Sequence, residues 1–336
     1  MKSIQISPEF GIDNLQLVES DTPQPGPSQV LVKVHASSLN YRDLMMVRGK
    51  YNPKQLLPLV PLSDGAGEIV AVGDQVTRAK VGDRVMSLFA QSWFNGDAGP
   101  DLFKATLGGP LPGMLSEYQL LSEQGVVPIP DHLDYRSAAT LPCAAVTAWH
   151  AVVEKGQISS ADTVLLLGTG GVSLFALQFA KLAGARVIIT SSSDEKLERA
   201  RQLGADETIN YREHPEWSSQ ALALTDGAGV DIVIEVGGAG TMNESLKSVR
   251  MAGKVMVIGV LGGGVNELSV RPILINSLNL QGIFVGSRHI HETMCNAINR
   301  HQMQPTISDS FALADAQAAF NHLAAGSHFG KIVIEH

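Results

Sequence analysis

The sequence has little cysteine, no dense stretch of basic residues and no leader-like N-terminus. Cys143 and Cys295 are its only cysteines. Two thiols cannot cross-link 336 residues, which excludes a disulfide-stabilised fold and favours a reduced, cytoplasmic protein. The first residues, MKSIQISPEFG, lack the apolar core of a signal peptide. Net charge is 25 − 33 = −8, and no run of Lys and Arg exceeds two residues. We therefore expect neither a nucleic-acid surface nor binding to an anionic membrane.

Long hydrophobic runs are also missing. The longest uncharged stretch, Thr163–Ala180, contains three glycines, so a strand, a turn and a helix describe it better than a membrane span. Hydrophobic residues make up 44% of the chain and charged residues 17%, which is typical of a globular protein. The length favours two domains.

The pattern of the chain changes near residue 130. Residues 1–130 predict mostly strands, including Val30–Ala36 with alternate residues on one face. From residue 135, strand-like and helix-like stretches alternate, which predicts βαβ units around a parallel sheet and an α/β fold. The predicted strands are Thr163–Leu167, Arg186–Thr190, Val230–Val236, Lys254–Val260 and Leu278–Val285.

A glycine turn between strand and helix is the strongest functional signal. The buried strand before Gly168 leads through Thr169 and Gly170 into a helix that begins at Gly171-Val172. Gly168 permits the tight turn, Gly170 lets backbone approach a pyrophosphate, and the helix N-terminus attracts the anion. The third position of this fingerprint is Ser173 instead of glycine, and it serves helix–strand packing. The pattern predicts a dinucleotide site.

The end of the next strand favours NADP(H) over NAD(H). An NAD site places a carboxylate there, whereas this strand ends in Ser191-Ser192 and a third serine, followed by Asp194 inside the next helix. Small hydroxyls leave room for a 2′-phosphate that Lys196 could neutralise. Alternatively, the serines only cap the helix, since Ser192 and Glu195 fit a capping box.

The order of these parts resembles the medium-chain dehydrogenase/reductase superfamily over essentially the whole chain. The resemblance implies a GroES-like, mainly β catalytic domain at residues 1–127 and 288–336. It implies a Rossmann dinucleotide-binding domain, a doubly wound parallel sheet, at residues 128–287. The motifs that carry it are Gly65–Val70, Val81–Val85, Ala138–Pro142, Thr147–Trp149, the glycine turn, Leu203–Asp206 and Gly330–Val333.

Zinc ligands of that superfamily are mostly missing here. The positions that match them look like Asn40, the pair Ser63-Asp64, and Cys143. A catalytic zinc needs three protein ligands, so one thiol cannot hold it. His289 and His291 are the best remaining metal pair, but no third ligand is near them in sequence. We expect no metal, and we expect Cys143 to be a buried small side chain.

Without zinc, the sequence is similar to the quinone oxidoreductase branch. The resemblance implies catalytic roles for Asn40, Asp43 and Tyr51 near the nicotinamide. It also implies cofactor contacts for Thr147 at the nicotinamide ribose, for Tyr211 at the 2′-phosphate, and for Gly259, Val260, Ser287 and Arg288 along the cofactor. Each match has a structural alternative: Asn40 could only cap a turn, Asp43 could cap a helix or pair with Arg42, and the tyrosines could only pack.

These observations predict a metal-independent, NADPH-dependent oxidoreductase that passes hydride to a quinone or an α,β-unsaturated carbonyl. An alcohol dehydrogenase or aldehyde reductase, and an NADPH-binding protein with little turnover, are the alternatives. We expect a small-molecule substrate bound by the loops 41–60, 91–113 and 260–290. We also expect a homodimer that pairs the strand Leu278–Val285 with its copy, as in relatives.

Overall fold

The computed structural model describes residues 1–261 and 267–336. The strands are β1 (Lys2–Ile6), β2 (Leu15–Glu19), β3 (Gln29–Ser38), β4 (Asp64–Val72), β5 (Arg84–Ser87), β6 (Tyr118–Ser122), β7 (Val126–Pro128), β8 (Thr163–Leu166), β9 (Arg186–Ser191), β10 (Glu207–Asn210), β11 (Val230–Glu235), β12 (Val249–Val257), β13 (Asn279–Gly282), β14 (Ile307–Ala312) and β15 (Lys331–Glu335). The α-helices are α1 (Tyr41–Val47), α2 (Tyr135–Ala138), α3 (Val146–Trp149), α4 (Gly171–Leu182), α5 (Asp194–Gln202), α6 (Trp217–Ala223), α7 (Met242–Ser248), α8 (Arg271–Ile275), α9 (Arg288–His301) and α10 (Ala316–Ala325). Two π-helical segments, Leu141–Ala145 and His150–Lys155, flank α3.

The chain divides into two compact units. The first contains residues 1–146 and 286–336, and the second contains residues 147–285. Residues 128–146, expected in the Rossmann domain, group with the first unit because α2 packs against β3 and β4. Ser287, also expected in the Rossmann domain, lies in the first unit as well.

The second unit has the predicted parallel sheet. Its strand order is β10-β9-β8-β11-β12-β13, and every described neighbour pair is parallel. Leu165, Ile188, Val233 and Val255 are fully buried in its core. Such continuous apolar strands are expected where helices cover both faces of a sheet. The α/β Rossmann prediction is therefore confirmed.

The first unit is mainly β, as predicted for a GroES-like domain. Its larger sheet has the order β14-β15-β3-β4-β5-β7, with β6 also paired to β3. The alternate residues Val30, Val32, Val34 and Ala36 of β3 are all buried, which confirms their common apolar face. A second core lies under α1 and α10, around Leu44 and Phe320.

Some predicted segments differ in length from the observed ones. The strand expected over Leu278–Val285 is shorter, β13 (Asn279–Gly282), and β12 ends at Val257 instead of Val260. Residues 262–266 of the predicted substrate loop 260–290 lie outside the described residues. No helix in the described part of the chain is long and apolar enough to cross a membrane.

Candidate functional site

The glycine turn of the second unit is an open cradle at the start of α4. Gly168 has φ of +70°, in the left-handed region that favours glycine. Gly170 precedes the first residue of α4, and a Cβ added at Gly168 or Gly170 would meet no protein atom within 4 Å. Thr169, Gly171 and Val172 complete the turn. The first N–H groups of the 12-residue α4 therefore border unfilled space, an arrangement suited to an anion.

Two hydrogen bonds hold this turn against the sheet. The Ser173 hydroxyl donates to the Leu167 carbonyl at 2.7 Å, and Ser173 is buried. The Gly168 N–H donates to the Thr190 hydroxyl at 3.2 Å, which connects the turn to β9. The serine at the third fingerprint position thus takes part in helix–strand packing.

The serines after β9 cap the next helix in a different register from the predicted one. Ser193, not Ser192, is the N-cap of α5, and its hydroxyl accepts from the Lys196 N–H at 3.4 Å. The predicted capping box of Ser192 with Glu195 is therefore wrong. The Ser191 hydroxyl accepts from the Ser193 N–H at 3.3 Å, and Ser191 is buried. Ser192 does not cap α5.

Tyr211 and Lys196 lie next to the end of β9. The Tyr211 N–H donates to the Ser191 carbonyl at 3.1 Å, which places Tyr211 at the same sheet edge, with its side chain 40% exposed. The Asp194 carboxylate accepts from the Asn210 amide at 2.8 Å. Burial lowers the pKa of Lys196, and the neighbouring Arg199 lowers it further. An anion bound here would favour the charged lysine.

The other predicted cofactor residues of the second unit follow or precede its sheet. Gly259 comes soon after β12, and a Cβ there would lie 2.4 Å from the Val236 carbonyl oxygen, so close packing requires glycine. Val260 is exposed at the same edge. Thr147 is buried at the start of the unit.

In the first unit, Asn40 is oriented by a buried lysine. The Lys331 ammonium donates to Asn40 Oδ1 and to the Leu39 carbonyl oxygen, both at 2.6 Å. Lysine has no acceptor, so the amide oxygen of Asn40 must face it, and Nδ2 points away. The Asn40 side chain also interacts with the buried Asp64 carboxylate and helps to lower the pKa of that group.

Asp43 serves the start of α1, as one of the two interpretations of this residue predicted. Its carboxylate accepts the Asn40 N–H at 2.9 Å and is fully buried. Burial raises the pKa of Asp43 to about 6, although Arg42 lowers it. The Arg42 guanidinium lies 5.1 Å from the Tyr51 ring, and Tyr51 is 41% exposed. Asn40, Asp43 and Tyr51 thus belong to one unit, and Arg42 lies next to Asp43 and Tyr51.

The remaining residues at the expected zinc positions form a closed network. The Ser63 hydroxyl donates to Asp64 Oδ1 at 2.7 Å, and the Cys143 N–H donates to Oδ2 at 3.2 Å. Burial raises the pKa of Asp64, and the Lys331 ammonium lowers it. Burial and the Asp64 charge raise the pKa of the Cys143 thiol, which keeps it protonated.

Sequence comparisons match both units to known dehydrogenase domains. Residues 26–131 match the alcohol dehydrogenase GroES-like domain, and residues 171–300 match the family described as zinc-binding dehydrogenase. A zinc-type alcohol dehydrogenase-like protein of Schizosaccharomyces pombe is 41% identical over 332 residues, covering 97% of this chain and 96% of that protein. The chain belongs to the medium-chain dehydrogenase/reductase superfamily. It is an oxidoreductase of that superfamily.

Other members of the superfamily show which activities accompany this fold. A quinone oxidoreductase of Pseudomonas aeruginosa is 34% identical over 343 residues, with 99% of each chain covered. The solved structure of an NAD-dependent alcohol dehydrogenase superposes with a TM-score of 0.92 at 30% identity, covering all of both chains. A mycobacterial member solved with NADPH superposes with a TM-score of 0.84 at 27% identity, covering all of this chain and 99% of that one.

The structure also shows which predicted residues have other engagements and which residues the sequence did not reveal. Ser287 caps α9 by accepting the Ile290 N–H. Arg288 donates to the Gln124 carbonyl at 3.1 Å and to its side chain. In the sequence, Lys331 is only a member of the Gly330–Val333 motif, and nothing there indicates a role of its own. Its hydrogen-bond partners lie about 290 residues away in the sequence, so local patterns could not reveal them.

Proposed function

We propose that this medium-chain oxidoreductase uses NADPH, without a metal, to reduce a quinone or an α,β-unsaturated carbonyl compound. The observation that carries the proposal is the closed network at the expected zinc positions. A saturated alkoxide needs a strong electrophile such as zinc. In a conjugated acceptor the charge delocalises onto oxygen, and hydrogen-bond donors are sufficient.

The donor set at these positions does not fit a catalytic zinc. Protein zinc ligands are thiolate, imidazole or carboxylate groups. Here the Asn40 oxygen accepts from Lys331 and the Ser63 hydroxyl donates to Asp64, which leaves only Asp64 and Cys143, fewer than the three protein ligands of a catalytic zinc. Within residues 1–261 and 267–336, no three His, Cys, Asp or Glu side chains are arranged to hold a metal.

We assign the dinucleotide to the glycine turn. Gly168, Thr169, Gly170, Gly171 and Val172 would hold the pyrophosphate, because their backbone borders open space at a helix N-terminus. When bound, the reduced nicotinamide supplies the hydride. Thr147, Gly259 and Val260 would line the rest of the cofactor. Ser287 and Arg288 are left out of this assignment, since the contacts described above already occupy their side chains.

The end of β9 is where we place the 2′-phosphate. Ser191 and Ser192 bring no carboxylate, Asp194 is engaged by Asn210, and Lys196 and Tyr211 stand beside the strand end. A charge-assisted hydrogen bond is worth about 1.5–3 kcal/mol. We therefore expect Lys196→Ala to weaken NADPH binding roughly 10- to 150-fold and to spare NADH. Lys247→Ala, which removes an exposed lysine of α7, is the matched control. Equal loss for both cofactors would remove the 2′-phosphate from this position.

Tyr51 is the donor that we assign to the carbonyl oxygen of the substrate. Its side chain is exposed, and Arg42 supports its ring. Asp43 holds the backbone of Asn40 in place through the Asn40 N–H. After hydride addition, the substrate takes up one proton from Tyr51 or water, which completes a two-electron reduction.

Stopped-flow oxidation of NADPH with quinones, enals and aldehydes tests this function, together with oxidation of alcohols by NADP⁺. We expect turnover with quinones or enals, unaffected by chelators. Efficient alcohol oxidation would favour the alcohol dehydrogenase alternative, and NADPH binding without any turnover would favour a binding protein. Tyr51→Phe should lower kcat without changing the Kd for NADPH. Tyr41→Phe, an exposed tyrosine at the start of α1, is the control.

We propose a homodimer through the edge strand β13 and the neighbouring α8. β13 is the last strand in the sheet order of the second unit, with no further strand beside it among the described residues, and the apolar side chains of Leu274 and Ile275 on α8 are 81% and 55% exposed. Exposed apolar patches of this kind mark association surfaces. Leu274→Glu should convert a dimer into a monomer in sedimentation velocity; a monomeric wild type would contradict the proposal.

We further propose that the protein works in the cytoplasm. Cys143 and Cys295 are both free thiols, and burial raises the pKa of each. Free cysteines persist in reducing compartments. Localisation of the tagged full chain by microscopy or fractionation tests this; recovery from an oxidising compartment would contradict it.

A further inference from the structure

A buried carboxylate at the end of β11 organises one half of the sheet edge that carries the glycine turn. Glu235 is fully buried, and its two oxygens accept four hydrogen bonds. Oε1 accepts the N–H groups of Gly237 and Gly238, at 2.7 and 2.9 Å, and the Thr241 hydroxyl at 2.6 Å. Oε2 accepts the Ser245 hydroxyl. The carboxylate therefore holds the whole connection from β11 to α7.

The backbone of Glu235 also anchors the segment that follows β12. Its carbonyl accepts the N–H groups of Ile258 and Gly259, at 2.9 and 3.3 Å. Gly259 packs against the Val236 carbonyl so closely that a Cβ would not fit. One residue thus fixes two neighbouring loops at the carboxyl edge of the sheet. Burying a carboxylate is costly unless its oxygens are fully hydrogen-bonded. The complete set of hydrogen bonds around Glu235 therefore indicates that its place at the end of β11 serves a purpose.

The strand order says which half of a dinucleotide these loops would meet. β8, with the glycine turn, lies between β9 and β11, and Ile234 is paired with Leu166 at the end of β8. A dinucleotide bound across this switch point places its pyrophosphate at the turn and its two nucleosides on opposite sides. With the adenosine at β9, as proposed above, the nicotinamide half must lie toward β11 and β12.

We propose that Glu235 is a positioning residue for the nicotinamide half of the cofactor. It acts through the loops at residues 236–241 and 258–261 and does not touch the cofactor. This inference rests on the proposed dinucleotide site. Glu235 would therefore affect the nicotinamide half of the cofactor, whereas the residues at the end of β9 would affect only the adenosine half.

Binding of two probes to the full chain tests the proposal. Glu235→Gln keeps the size of the side chain but turns one acceptor into a donor that faces other donors. We expect the Kd for NADPH to rise about tenfold, the equivalent of one such hydrogen bond. The Kd for adenosine 2′,5′-bisphosphate, which lacks the nicotinamide half, should stay within about twofold of the wild-type value.

Glu244→Gln provides the matched structural control. Glu244 lies on α7, and its carboxylate accepts from the Ser218 hydroxyl at 2.6 Å and from Lys247 at 2.7 Å, away from the sheet edge. It should lower stability without changing the affinity for either probe. If Glu235→Gln does not fold, Thr241→Val removes one donor to Oε1 and should raise the Kd for NADPH alone by a few fold.

The possible outcomes separate this inference from the proposed function. Parallel weakening of both probes in the folded Glu235 or Thr241 variants would mean a general loss of structure and would overturn the inference. Unchanged NADPH affinity in both variants would also overturn it. If Gly170→Val retains NADPH affinity, the dinucleotide site itself is misplaced and both ideas fail. If Gly170→Val loses NADPH affinity and Glu235→Gln does not, the proposed function is supported and the inference about Glu235 is wrong.

Discussion

The Ser173 hydroxyl donates a hydrogen bond to the Leu167 carbonyl oxygen, 2.7 Å away, across the glycine turn. In the dinucleotide fingerprint this position is a glycine that lets the helix approach the strand. Here Ser173 instead connects α4 to the end of β8 by a hydrogen bond. The departure from the fingerprint is therefore compensated within the turn itself.

Ser173→Ala should lower the free energy of unfolding by about 1–2 kcal/mol, because it leaves the buried Leu167 carbonyl without this donor. Urea denaturation measures the change. Ser219→Ala is the control: it also removes a hydroxyl-to-carbonyl bond in a helix, to Glu216 at 2.8 Å, but at an exposed site. Equal effects of the two variants would contradict the role of Ser173.

Gly170→Val should abolish dinucleotide binding while the fold survives. A side chain at Gly170 meets no protein atom within 4 Å, so the cost in stability should be at most about 1 kcal/mol. It would fill the space assigned to the pyrophosphate, and we expect an affinity loss of at least about 100-fold by fluorescence titration. Gly259→Ala, in contrast, should lower the free energy of unfolding, because its Cβ would collide with the Val236 carbonyl oxygen.

The parts that sequence predicted well are those set by local pattern. The strand before Gly168, the turn and the face of α4 follow from neighbouring residues, and the structure has them where expected. The N-terminal role of Asp43 in α1 also follows from a spacing of three residues. Local rules decide these features because the interacting groups are close in the chain.

The features that escaped prediction depend on distant contacts or on a register of one residue. Lys331 reaches Asn40 only after β15 pairs with β3, and its burial could not be read from the local sequence. Three consecutive serines offered three possible caps, and Ser193 was selected by where β9 ends. In the sequence, Glu235 is only one residue of a predicted strand. Its role depends on the loop that follows, which folds back so that the Gly237 and Gly238 N–H groups donate to its carboxylate.

Acid should destabilise the fold through His291. Burial lowers the pKa of this imidazole to about 3, and neither ring nitrogen has a hydrogen-bond partner among the described residues. The unfolded chain then binds the proton more readily, so stability is present above pH 6.5 and is lost as the pH falls toward 3. At pH 5 the loss should be about 2 kcal/mol.

His291→Leu should remove this part of the acid sensitivity. The measurement is the free energy of unfolding at pH 7.5 and pH 5 in wild type and variant. His289→Leu, on the exposed side of the same helix, is the control. An identical pH dependence in wild type and the His291 variant would show that this buried ring does not govern acid lability.

Asp43 should give a pH dependence of the opposite sign. Burial raises the pKa of its carboxyl from 3.8 to about 6, so the folded protein binds the proton more tightly than the unfolded chain. The stabilisation is complete below pH 3.8 and is lost as the pH rises through 6. An ionised Asp43 therefore costs the fold about 3 kcal/mol at neutral pH.

Asp43→Asn keeps an oxygen that can accept the Asn40 N–H and removes the buried charge. The variant should gain stability relative to wild type as the pH rises from 4 to 7, by about 2.4 kcal/mol. Asp206 is the control. Burial raises the pKa of Asp206, but hydrogen bonds from Lys181 and from the Val187 N–H lower it below its usual value. The stabilisation by Asp206 is lost only as the pH falls below 3.8, so the stability of Asp206→Asn relative to wild type should hardly change between pH 4 and 7. An equal gain in both variants would contradict the assignment of the raised pKa to Asp43.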